Sequence, residues 1–181
     1  FRKKVFIILG GTDCVSFPEF NYGSLRKQPL KWFTKKSYQW SYKLLPVDAS
    51  LLFSENKYLP NPVNKNQGIK AYFKTLKTPY TIIPNGFDVA FWDTGKTHEN
   101  PNTFLSVAFV VDDTRFTLKG INTVVELANH FKEASFTLVG LSKTFALKLK
   151  LPKNIKIYAY LSAKELKKEI EKYVNQNNGA I

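Results

Sequence analysis

The sequence predicts an α/β protein built from two units, each carrying a parallel sheet. Three observations lead there. Short apolar runs recur between Gly, Pro and Asp residues, at 5–9, 104–111, 136–139 and 155–158, and runs of this length read as strands. Segments with helical apolar spacing lie between them, and that alternation means a parallel, doubly wound sheet. A chain reversal at Pro84-Asn85-Gly86 and a polar stretch after it divide the series in two. The expected boundaries are 1–83, a hinge and linker at 84–102, and 103–181.

In the first unit, 5–9 is a continuous apolar run and is expected to be a strand buried on both faces. It feeds Gly10-Gly11-Thr12-Asp13, a turn at the strand's C-terminal end, where open α/β sheets bind ligands. A loop with Pro18 and Gly23 reaches Gln28. Pro29 suits the first turn of a helix to Lys43, with Leu30, Phe33, Ser37, Trp40 and Leu44 inward. Lys27, Lys31 and Lys35 form a basic stripe beside Tyr38 and Tyr42. Trp32, Phe33 and Trp40 read as core rather than as a sugar platform. A strand is expected at 44–47. Asp48 or Ser50 caps a helix over 51–58, which Pro60 and Pro62 end. A helix at 66–76 and a strand at 80–83 follow.

The second unit opens with the strand at 104–111 and a loop at 112–118. Ile121, Val124, Val125, Ala128 and Phe131 give a helix with one apolar face. The strand at 136–139 ends at Gly140. A short helix covers 142–149, and Pro152 breaks it before the strand at 155–158. Ser162 and Glu165 have capping-box spacing, opening a helix to Val174. His98 reads as a loop residue, and His130 as a surface residue near a helix C-terminus.

The 181 residues carry a net charge of +13. Residues 1–84 hold 14 Lys and Arg against 4 Asp and Glu, and the remainder 13 against 10. The basic first half favours an anionic partner, or is simply a solvated lysine-rich surface. No RRM, KH, helix-turn-helix or zinc-finger pattern occurs, so no nucleic acid is expected as partner. One cysteine, Cys14, excludes an intrachain disulfide. No metal-ligand spacing is present, and no run of 18 apolar residues suggests a membrane-spanning helix.

The stretch "TRFTLKGINTVVELANHF" places Arg115 and Lys119 just ahead of Gly120 and a helix. Cations at a helix N-terminus oppose its dipole, so an anion there would offset the cost. Two cations, a glycine and a helix start suit a diphosphate. Alternatively, the two are ordinary surface cations paired with Asp112 and Asp113. Neither GxxxxGK[ST] nor GxGxxG occurs.

Three segments together resemble a family 4 glycosyltransferase of the two-domain GT-B fold. "IIPNGFD" (82–88) resembles the junction between that family's two Rossmann-like domains. "FLSVAFVVDDTRFTLKGINTVVELANHFKEASFTLVG" (104–140) resembles the start of its donor domain. "IILGGTD" (7–13), with "LLPVDASLL" (44–52) beyond it, resembles the latter part of its acceptor domain. The resemblance spans nearly the whole chain.

It implies a transfer of sugar from a nucleotide-diphosphate donor to a glycolipid or polysaccharide acceptor, without cofactor or metal. Lys119 matches the family's diphosphate-binding lysine through its KG pair. The family's arginine sits earlier, where this chain has Ala108-Phe109, so Arg115 stands in from the loop. Gly10, Gly11, Gly120, Gly140, Tyr160 and Leu161 are implied to line the donor cleft. Asp13 takes the position of a catalytic histidine, or is a turn residue bonding its own backbone. Asn85, Gly86 and Asp88 read as the hinge or, alternatively, as direct ligand contacts. The family's paired downstream glutamates and its first strands have no counterpart, which implies a fragment with both domains incomplete. Transfer activity then belongs to the full-length protein. The implied location is cytoplasmic, peripheral on the inner face of a membrane through the basic first half. Other readings are a GT-B sugar epimerase or phosphorylase, a basic nucleic-acid-binding α/β protein, and a non-catalytic α/β module.

Overall fold

A computed structural model describes residues 3–57, 59, 61–93 and 102–175. The chain forms two compact units, Phe1–Phe87 and Asp88–Ile181. Both are α/β with a parallel, Rossmann-like sheet. Residues 94–101, with His98 and most of the expected linker, lie outside the described residues.

In the first unit β1 (Phe6–Leu9) pairs in parallel with β2 (Lys43–Pro46). The segment at 79–83 runs along β2 as well. Leu44 N–H donates to Pro79 C=O, and the Thr81 and Ile83 N–H groups donate to Leu44 and Pro46. The apolar run at 80–83 thus behaves as a strand. β1 is not buried on both faces, as its sequence suggests: Leu9 is buried, but Phe6 and Ile8 are exposed. Among the described residues no element covers that second face.

Helix α1 (Gln28–Trp40) carries Pro29 in its first turn. It stops three residues short of Lys43. Ser41 turns the chain, its N–H donating to Ser37 and Tyr38 carbonyls and its hydroxyl to Tyr38. The inward face also differs from expectation. Tyr38 is buried, whereas Leu30, Phe33 and Trp40 are exposed. Trp32, Phe33 and Trp40 are therefore not core residues. Lys31 of the basic stripe lies 5.0 Å from the Tyr72 ring.

The helices expected at 51–58 and 66–76 do not form. Asp48 caps a short 3-10 turn, Ala49–Leu51, by accepting from Ser50 N–H. The chain then extends as β3 (Ser54–Glu55), antiparallel to β4 (Asn66–Gln67). Only one turn of helix follows, α2 (Ile69–Tyr72). Gly68 explains the break. Its φ is 89°, and a Cβ there would lie 2.7 Å from the Leu52 carbonyl carbon and oxygen. Gln67 is buried and its amide is paired in both directions: Ser16 N–H donates to Oε1 at 2.9 Å, and Nε2 donates to Ser16 C=O at 2.9 Å. These long-range bonds outweigh local helix propensity. Leu9, Cys14, Leu25, Tyr38, Leu44, Leu52, Ile69 and Phe73 form this unit's core.

The second unit begins with α3 (Val89–Trp92), capped by Asp88, which accepts from Phe91 N–H at 3.0 Å. Its sheet has the order β5 (Thr103–Val110), β6 (Ser135–Leu141), β7 (Ile155–Tyr158), all parallel. The expected loop at 112–118 is a helix, α4 (Asp113–Leu118), because Asp112 caps it by accepting from Arg115 N–H at 2.7 Å. Helix α5 (Ile121–His130) buries Ile121 and Ala128. Phe131, expected on that face, is exposed. One helical turn, α6 (Lys143–Ala146), is capped by Ser142. Helix α7 (Ala163–Asn175) follows β7 and returns to contact β5. It opens with the expected capping box: Ser162 N–H donates to Glu165 at 2.7 Å, and Glu165 N–H to Ser162 Oγ. That pairing holds the Glu165 carboxyl below its usual range. Val110, Ile121, Leu138, Leu141 and Phe145 make the main core.

Candidate functional site

The residues singled out in the sequence fall into three groups. Arg115, Lys119, Gly120, Gly140, Tyr160 and Leu161 belong to the second unit. Gly10, Gly11 and Asp13 belong to the first. Asn85, Gly86 and Asp88 straddle the division at Phe87.

The second-unit group gathers where the strands end. Parallel register sets Val110 beside Leu141 and Val139 beside Tyr158. The chain leaves β5 into α4 and α5, and leaves β7 toward Tyr160 and Leu161, at that same C-terminal edge. Arg115 lies within α4, and Lys119 is the residue that closes it. Both are exposed. The Arg115 guanidinium lies 5.5 Å from the Phe109 ring centroid. Among the described residues neither cation is ion-paired, so the alternative pairing with Asp112 and Asp113 does not occur. Asp112 instead spends its carboxylate on the α4 cap.

Gly120 occupies the N-cap of α5 in a left-handed conformation, φ 69°. A residue with a Cβ would be strained there by its backbone alone, since the space around it is open. Gly120 has no side chain with which to cap the helix. The other helices of this unit are capped by Asp88, Asp112, Ser142 and Ser162. Among its described helices α5 alone begins without a side-chain cap. Its first-turn N–H groups therefore lack the usual partner, next to Lys119.

Gly140 has a different reason to be glycine. It lies inside β6 rather than after it, with φ 98°, and its absent Cβ would come within 2.4 Å of the Ala108 carbonyl oxygen. The β5–β6 register shifts between Val107 and Val110 beside it. Close strand packing requires the glycine. Tyr160 is 79% exposed, and Leu161 is half-buried.

In the first unit Gly10 and Gly11 lead into a 3-10 turn, Thr12–Cys14. The Asp13 carboxylate is engaged on both oxygens. Gly11 N–H donates to Oδ1 at 3.1 Å, and the Tyr38 hydroxyl donates to Oδ2 at 2.8 Å. Cys14 is fully buried beside them. Burial, followed by the nearby Asp13 charge, pushes its thiol up to about 12. Burial also raises the Tyr38 phenol, with Cys14 and Asp13 adding to it. A thiol so raised is protonated and unreactive at neutral pH.

Asn85 and Gly86 are exposed. Among the described residues no group of three or more His, Cys, Asp or Glu side chains could hold a metal ion. None of their helices is long and apolar enough to cross a membrane. Sequence reasoning missed Phe109 beneath Arg115, the Tyr38 partner of Asp13, and the Gln67 amide. The spacing of Phe109 and Arg115 across a strand end was the one local signal available. No family model matches the chain, and no curated protein matches it.

Proposed function

We propose that this chain carries the donor-binding part of a glycosyltransferase that uses a nucleotide-diphosphate sugar. One observation carries the reading. The N-terminus of α5 lies at the C-terminal edge of a parallel sheet, without a side-chain cap, beside Lys119 and one helix turn from Arg115. N–H groups, a helix dipole and two unpaired cations are what a diphosphate needs. The resemblance of residues 82–88 and 104–140 to family 4 glycosyltransferases supports the same ligand. In transfer, the bond between the sugar and the diphosphate breaks as the acceptor oxygen attacks. Charge grows on the leaving diphosphate, and Lys119 and Arg115 stabilise it. Tyr160 and Leu161 border the same edge and suit contact with the base. Asn85, Gly86 and Asp88 are read as the hinge. The engaged Asp13 carboxylate favours a structural role over a catalytic one. The acceptor is a glycolipid or glycan, met at an anionic membrane surface through the basic first unit.

Calorimetric titration with UDP and GDP tests the reading. Lys119→Ala should weaken the bound nucleotide by about 1.5–3 kcal/mol, the worth of one charge-assisted contact. Arg115→Ala should weaken it also. Wild-type protein that binds neither nucleotide, or a Lys119→Ala variant that binds as wild type, would refute the site.

A further inference from the structure

Helix α1 turns its aromatic side to solvent. On a helical wheel Trp32, Phe33, Lys36 and Trp40 lie opposite the buried Tyr38. Trp32 is 53% exposed, Phe33 60% and Trp40 77%. The Trp32 and Phe33 rings meet edge to face at 4.9 Å, and Lys36 Nζ lies 5.7 Å from the Trp32 ring. Tyr42, half exposed, follows the helix. Exposed rings clustered in this way mark an interaction surface.

The surrounding charge indicates what covers them. Between Asn21 and Val47 there is no Asp or Glu, against six cations: Arg26, Lys27, Lys31, Lys35, Lys36 and Lys43. A second copy would bring like charge against like. A single-stranded nucleic acid needs open ring faces to stack on. Here Lys36 sits over Trp32, and the Phe33 and Trp32 rings pack on each other. Aromatic bulk with lysine among it is the composition of a helix that lies in a membrane interface.

We infer that the outward face of α1, with Trp32, Phe33 and Trp40, docks on an anionic phospholipid membrane. The rings enter at headgroup level, and Lys36, among them, meets lipid phosphates. The inference rests on the anionic-surface reading given above and places the contact on the outward face of α1, away from Lys31, which is stacked on Tyr72.

The test is sedimentation of the 181-residue chain with vesicles of equal phosphatidylglycerol and phosphatidylcholine, and with phosphatidylcholine alone. Wild-type protein should sediment with the anionic vesicles at low salt and be released at high salt. A combined Trp32→Ser, Phe33→Ser, Trp40→Ser variant should bind at least about tenfold more weakly. Its far-UV circular dichroism and its UDP titration should match wild type, since the three rings are exposed. Wild type that ignores anionic vesicles overturns both this inference and the anionic-surface reading. Wild type and triple variant that bind vesicles alike overturn the aromatic face alone. Ring-dependent binding of single-stranded DNA in preference to vesicles overturns it for a nucleic acid, and a ring-dependent dimer overturns it for a second copy. The nucleotide titration stands or falls separately.

Discussion

The Tyr38 hydroxyl donates to the Asp13 carboxylate at 2.8 Å and reaches the Asp13 carbonyl at 3.1 Å, joining residues 25 apart in the chain. This contact fastens the turn after β1 to the last turn of α1, beside buried Cys14. Tyr38→Phe removes the donor and leaves the carboxylate one partner short. The variant should lose about 1–3 kcal/mol of stability in a denaturant titration. An unchanged midpoint would mean the contact contributes nothing.

The same cluster makes the protein sensitive to alkali. Cys14 is pushed up from 9.0 to about 12 in the folded state. Between those values the unfolded chain has lost the thiol proton and the folded chain has kept it. The unfolded state then binds fewer protons, so stability falls as pH rises. The contribution is whole below pH 9.0 and disappears as pH climbs toward about 12. The raised Tyr38 phenol acts with the same sign. Urea unfolding as a function of pH should show a decline of up to about 1.4 kcal/mol per pH unit for the thiol. Cys14→Ala should flatten that part of the slope, at the cost of a small core deletion.

Two glycines with positive φ should respond very differently to one methyl group. Gly140→Ala drives a Cβ to 2.4 Å from the Ala108 carbonyl oxygen, between paired strands. Strain and overpacking together should cost about 2–4 kcal/mol. Gly120→Ala meets open space and carries only the backbone term, about 1–2 kcal/mol. Thermal unfolding of the two variants side by side checks the order. Equal losses would contradict the packing argument.

Asn154 closes the end of α5. Its Nδ2 reaches three carbonyls, those of Ala128, Phe131 and Ala134, at 2.9–3.0 Å. Asn154→Ala should destabilise by about 1–3 kcal/mol. Asn154→Asp should be worse, because an acceptor would then face three acceptors. If the aspartate variant were as stable as wild type, the network would have to be relaxed in solution.

What could be read from the sequence was what local patterns decide. The strands at 104–111, 136–139 and 155–158, the Ser162–Glu165 box and the Gly120 helix start all depend on neighbours within a few residues. So does the placement of Lys119 beside α5. The failures occurred where distant contacts prevail. The 51–58 and 66–76 segments have helical spacing, but Gly68 pressed on Leu52 and Gln67 bonded to Ser16 make a hairpin of them. The aromatic spacing of α1 was sound, yet that face points outward and Tyr38 points inward. In the site, the helix over 113–118 depends on Asp112 as its cap, a role masked in the sequence by two cations that an aspartate could equally pair with.

The amide of Gln67 donates to and accepts from the backbone of Ser16 as a neighbouring strand would, across 51 positions of sequence. The Ser16 N–H is thus sealed from water by a side chain, next to the single bridge between Phe17 and Tyr22. Its exchange with deuterium should follow release of the Gln67 amide, which the Asn64 carbonyl and the Tyr72 hydroxyl also hold. Other protected amides of this unit report the opening of whole elements. Ser16 therefore offers a one-residue clock for the loop over residues 14–23, readable apart from the breathing of the sheet.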